Sequence, residues 1–114
     1  MKQWGLRLTS AARQDLKDIG GYIKYNLREP ETSKKTVRTL RMEIKKLTEL
    51  PERCELVQIE PWTSRGVRKL IIGNFVALYV VIPERSAVSV IRVAHGSRDI
   101  ESVLREAEGS TDWV

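Results

Sequence analysis

The chain has 114 residues, 41% of them apolar, which is enough for a single core and too little for two independent ones. Twenty Lys and Arg stand against 15 Asp and Glu, so the net charge is +5 and the sequence pI is about 9.6, a balance that favours nucleic acid or an acidic protein as partner. The lone Cys54 excludes an internal disulfide, one His beside it falls short of a tetrahedral metal set, and neither a membrane-length apolar run nor a signal-peptide core occurs, so a soluble cytoplasmic protein without metal or cofactor is expected.

Trp4, Leu6 and Leu8 alternate with Gly5 and Arg7, the period of a half-buried strand. Thr9 and Ser10 suit a helix N-cap. Ala12, Leu16, Ile19, Ile23 and Leu27 follow at spacings of 4, 3, 4 and 4, and at helical periodicity they share one narrow arc. A helix ending between Asn26 and Arg28 is predicted. Gly20 and Gly21 in its middle each cost about 1 kcal/mol relative to Ala, so they mark a close helix crossing or a kink.

Pro30 and Glu31 open a second helix, since Pro is tolerated in a first turn and a carboxylate there complements the helix dipole. Val37, Leu40, Ile44, Leu47 and Leu50 give it the inner seam of an antiparallel helical hairpin that Pro51 ends. Lys34, Arg38, Arg41 and Lys45 repeat at i, i+4, i+7 and i+11 beside that seam and form one basic stripe, which on spacing alone fits a solvated face or a binding surface.

Leu56, Val57 and Ile59 suggest at most a short strand. Three strands are then predicted over residues 67–72, 75–82 and 87–94, joined by Gly73-Asn74 and by the turn of residues 83–86. The middle one is apolar on both faces, as a covered central strand requires. Ser97 is expected to cap a last helix over residues 98–108, stopped by Gly109, with Asp99 in its first turn. The class is α+β: an N-terminal strand, a helical hairpin packed on a small antiparallel sheet of three or four strands, and a C-terminal helix, in one domain over residues 1–108 with a polar tail at 109–114.

His95 is the natural candidate for acid–base work, with Arg92 three residues before it and Arg98 three after, and with Arg68 and Lys69 on a strand that can pair nearby. Such a set can hold a phosphodiester and stabilise charge developing on it. Strand parity nevertheless sends Arg68 and Lys69 to opposite faces, and Arg92 and His95 likewise. No Gly-rich phosphate loop, nucleophile elbow or paired metal-ligand motif occurs. The few aromatics are scattered rather than spaced as a base-stacking platform.

The segments Leu-Thr-Ser-Ala-Ala-Arg-Gln-Asp-Leu-Lys from Leu8, Leu-Thr-Glu-Leu-Pro from Leu47, Gly-Val-Arg-Lys-Leu-Ile-Ile-Gly from Gly66 and Val-Ala-His-Gly-Ser-Arg-Asp from Val93 resemble toxins of the RelE/ParE superfamily of bacterial type II toxin–antitoxin systems. The resemblance covers residues 6–104. It implies a growth-arresting toxin of a plasmid-stabilisation module, held by a cognate antitoxin as a hetero-oligomer, with DNA gyrase or the ribosome and its mRNA as target. RelE-like members cut mRNA, and that mode would make His95, Arg68, Lys69 and Arg98 catalytic, with Arg65 and Arg92 among the RNA-binding cations. The stripe Lys34, Arg38, Arg41 and Lys45 would face the antitoxin. The chain departs from the RelE pattern at Val76, three residues before Tyr79, where an Arg is common, and at Ser102, Val103 and Leu104, where some members carry a Tyr. Its segments are closer to ParE-like chains, so a toxin that binds its target is the leading expectation, an mRNA endoribonuclease the second, and a non-toxic binding module the third.

Overall fold

The computed structural model describes residues 3–108; the predicted stop at Gly109 and the tail lie outside them. In chain order the elements are β1 (Gly5–Leu8), α1 (Ser10–Gly21), α2 (Pro30–Lys45), β2 (Arg68–Ile72), β3 (Phe75–Ile82), β4 (Ala87–His95) and α3 (Ile100–Ala107). They form one four-stranded sheet in the order β1-β4-β3-β2. The last three strands are antiparallel, as their alternation and short turns predict. The first strand lies parallel to β4, with Leu6 opposite Val88 and Leu8 opposite Val90, so the sheet is mixed. A parallel neighbour needs a long crossover, and the helical hairpin supplies it.

The hairpin covers one face, burying Leu16, Leu40 and Ile44 against Leu70, Tyr79 and Val90. The other face carries α3, whose Val103 and Leu104 pack with Leu78, Ile91 and the wholly buried Trp62. The central strand β3 is therefore covered on both sides, in accord with its unbroken apolar run.

Local chemistry sets the details that position the site. Thr9 caps α1, its hydroxyl accepting from the Ala12 amide at 3.1 Å and donating to the Ile91 carbonyl at 2.7 Å. That carbonyl belongs to a β-bulge: Leu78 pairs with Arg92 and Tyr79 with Val90, leaving Ile91 as the extra residue. Gly20 is the expected close crossing. A Cβ there would stand 3.1 Å from Val37 Cγ2, and Ser33 Oγ donates to the Gly20 carbonyl at 2.7 Å. After Gly21 the helix continues as one π-helical turn, Tyr22–Asn26, and reverses at Arg28, which has φ 56°. Widening the turn rotates Tyr22 outward while Ile23 stays buried.

Three predicted details differ. Leu27, the last residue of the expected apolar arc, is 48% exposed, because the π-helical turn changes the helical phase before it. Leu50 is exposed rather than part of the seam, because the helix tightens to a 3-10 turn at Lys46–Thr48 and changes the phase of the residues beyond. Asp99, not Ser97, occupies the N-cap position of the last helix, which starts at Ile100. Ser97 is drawn away by His95, whose ring it bonds.

Candidate functional site

The C-terminal end of β4 opens into a cleft of about 600 Å³ walled by the π-helical turn and by Phe75. Its floor is apolar, with Ile19, Ile23 and Val93, and its rim carries Tyr22 and Leu27, which are 56% and 48% exposed. A second cavity of about 410 Å³ lies beyond Phe75, lined by Lys69, Ile71 and Ser97. His95 borders both, edge-on to Phe75 with ring centroids 5.5 Å apart. It is exposed, as are Asn74, Ser97 and Arg98 around it.

The turn after His95 fixes the form of its ring. The Ser97 amide donates to Nδ1 at 3.1 Å, and Ser97 Oγ lies 2.7 Å from the same nitrogen. An amide N–H has only donation to offer, so Nδ1 is an acceptor and the neutral ring carries its proton on Nε2. His95 thus presents a donor to its surroundings. In that form it is suited to binding an oxygen and unsuited to taking a proton at Nε2.

The surrounding cations are held by the protein itself. Arg92 is 12% exposed and makes a two-pronged bond to Asp15, Nε to Oδ2 at 2.7 Å and Nη2 to Oδ1 at 3.0 Å, while Nη1 reaches Glu106 at 3.1 Å. Asp15 also accepts the Val93 amide at 2.9 Å. The arrangement pins α1, β4 and α3 together, and the bonded Asp15 carboxylate raises the Arg92 pKa further above its ordinary value. Arg98 bonds Glu106 at 2.7 Å, and Arg98 first, then Arg92, hold that carboxyl below its ordinary range.

Arg68 donates to the Cys54 carbonyl at 2.6 Å and pairs with Glu52 at 3.7 Å, tying the loop before β2 to the sheet. Lys69 pairs with Glu55 at 3.4 Å, and Arg65 bonds Glu108. Parity separates Arg68 from Lys69 as expected: Leu70 and Ile72 alternate with Lys69, so Arg68 shares the hairpin side and Lys69 the α3 side. Lys69 and His95 share the smaller cavity, and Arg92, His95 and Arg98 the larger. Arg65 and Arg68 line neither.

Tyr79 is wholly buried beneath this region, its hydroxyl donating to the Pro51 carbonyl at 2.6 Å. Burial, then the neighbouring Cys54, pushes the phenol pKa far up. No cluster of metal-ligating side chains occurs among the described residues.

On the opposite side of the hairpin, Lys34, Arg38, Arg41 and Lys45 lie exposed along a groove of about 620 Å³. Lys24 joins them from the π-helical turn, and Val37 and Met42 supply apolar wall. None of the five cations has a carboxylate partner among the described residues.

The residues that the sequence did not single out are Asp15, Glu106 and Tyr22. Asp15 sits beside Leu16 at the margin of the apolar arc, a faint signal of a carboxylate facing inward. The other two carry no signal without the fold.

A crossover hairpin on one face of a mixed sheet and a closing helix on the other make up the α+β architecture of the RelE/ParE superfamily. The family model for the ParE toxin of the type II toxin-antitoxin system parDE matches residues 6–100, and the chain belongs to that family. Solved structures with the same fold include the chromosomal ParDE system from P. aeruginosa, at 23% identity and TM-score 0.68, covering 83% of this chain and 98% of that one. A mutant E. coli RelE toxin in the free state is similar at 18% identity and TM-score 0.61, covering 92% and 94%. The RelBE2 toxin–antitoxin complex from Mycobacterium tuberculosis is similar at 21% identity and TM-score 0.58, covering 82% and 98%. No curated protein sequence matches the chain. No helix among the described residues is long and apolar enough to cross a membrane.

Proposed function

We propose that this toxin arrests growth by binding a macromolecular target, DNA gyrase, rather than by cutting mRNA, and that it acts in the cytoplasm as part of a plasmid-stabilisation module. The observation that carries the reading is the state of the sheet cations. Arg65, Arg68, Lys69, Arg92 and Arg98 each pair with a carboxylate of the same chain, so a phosphodiester entering the cleft has to compete with those carboxylates for every one of them. The donor form of His95 adds support, because abstraction of a ribose 2′-hydroxyl proton needs an open acceptor nitrogen. In this reading the cognate antitoxin occupies the cleft beside the π-helical turn rather than the stripe Lys34, Arg38, Arg41 and Lys45, because exposed Tyr22 and Leu27 over an apolar floor suit an amphipathic segment that folds on binding.

Purified toxin is expected to inhibit supercoiling by gyrase at the concentrations that arrest growth; no inhibition there would sink the reading. One observation favours the endoribonuclease alternative: His95 is exposed and shares a cavity with Lys69. Transcripts cut on induction, and left whole with His95→Ala, would establish that alternative instead.

A further inference from the structure

We infer that the α2 groove is a binding site for the phosphate backbone of double-stranded DNA, separate from the cleft at His95. Lys34, Arg38, Arg41 and Lys45 follow one line along α2, and Lys24 extends it at one end. Eleven residues of helix span about 16 Å. Duplex DNA places a phosphate of one strand about every 3.4 Å along its axis, so about five phosphates pass over that length.

The surroundings of the five cations distinguish the site from the sheet rim. They are exposed and have no carboxylate partner among the described residues, whereas Arg65, Arg68, Lys69, Arg92 and Arg98 each pair with a carboxylate of the chain. A regular row of one sign complements a polymer whose charge repeats regularly. An acidic protein segment would have to place its carboxylates in matching register to do the same.

Duplex is favoured over single strands because no aromatic side chain lines the groove along Lys34, Arg38, Arg41 and Lys45; the exposed Tyr25 ring under Lys24 at one end is a single ring, whereas successive unpaired bases need a series of them to stack on. DNA is favoured over duplex RNA because the charged ends are taken up by phosphates and, apart from Ser33, the lining has no neutral polar side chain with which to read a ribose hydroxyl. Its one hydroxyl, Ser33 Oγ, donates to the Gly20 carbonyl. Contacts to phosphate alone position a protein without reading sequence, so binding is independent of sequence and steep in salt.

The test is fluorescence anisotropy of a labelled 20-base-pair DNA duplex titrated with the full-length toxin over a range of salt. Five phosphate contacts give a slope of log K on log salt of about −4.5. Each of Lys34→Gln, Arg38→Gln, Arg41→Gln and Lys45→Gln is expected to reduce that magnitude by about 1, and the fourfold variant by about 4. Arg85→Gln, an exposed cation outside the groove's lining, is expected to leave the slope unchanged. Circular dichroism of each variant verifies the fold, and all four positions are exposed. A fourfold variant that keeps the full slope would overturn the site. So would polyglutamate displacing the duplex at equal charge concentration, which assigns the groove to an acidic protein, or single-stranded RNA binding more tightly than the duplex.

Discussion

Arg92 at the end of β4 is 12% exposed and bonds two carboxylates, whereas Arg38 and Arg41 on α2 stand exposed with none among the described residues. The same side chain thus does two different jobs on opposite sides of the hairpin. At the sheet rim it joins three elements, because a guanidinium has enough donors to bridge carboxylates from two helices. On α2 its charge is left for something outside the chain. Cation count near a cleft is therefore a poor guide to a phosphate-handling site; what matters is whether the charges are already compensated.

The contrast breaks most visibly at Arg92. Arg92→Ala leaves Asp15 largely buried without its partner, and unfolding in urea is expected to show a loss of about 3 kcal/mol or more. A loss below 0.5 kcal/mol would mean that the rim cation is dispensable to the fold. Next comes Thr9, whose hydroxyl both caps α1 and satisfies the bulge that brings Arg92 to the edge. Thr9→Ala is expected to cost about 2 kcal/mol in the same assay.

Tyr79→Phe removes one buried hydrogen bond and leaves the Pro51 carbonyl unpaired, for about 1 kcal/mol near neutral pH. Its pH dependence is more informative. The folded phenol is pushed above its ordinary value of about 10, so the unfolded chain ionises first and native stability falls as pH rises past that value. Tyr79→Phe is expected to remove that alkaline decline, read from thermal midpoints across the pH range.

The smallest effect falls on Glu106. Arg98 and Arg92 depress its carboxyl, so its contribution is present at neutral pH and is lost as pH falls through the lowered folded value. Glu106 is half exposed, and Glu106→Gln is expected to alter acid unfolding slightly while leaving the alkaline side untouched.

Much of the fold is legible in the chain itself. The apolar arc from Ala12 to Ile23, the Gly20 crossing and the continuous apolar run of β3 each mark local geometry that short-range pattern determines. The parallel pairing of β1 is not legible, since four alternating residues fit either edge and either direction. The site is harder still. Arg92 and Asp15 stand 77 positions apart in sequence, and no periodicity announces that one neutralises the other. Ser97 illustrates the same limit at short range: it has the chemistry of a helix cap, yet the ring of His95 two residues earlier is the better partner. The stripe on α2 was readable because a helix places i, i+4, i+7 and i+11 in one row whatever surrounds it.

Charge neutralisation at both places, read by one method, tests the contrast most directly. Urea unfolding of Arg92→Gln and Arg68→Gln is set against that of Lys34→Gln, Arg38→Gln, Arg41→Gln and Lys45→Gln. The rim variants are expected to lose stability, Arg92→Gln by about 3 kcal/mol, and the α2 variants to stay within about 0.5 kcal/mol of the parent. Equal losses in both sets, or none at Arg92, would contradict the division between cations that hold the fold and cations left to bind.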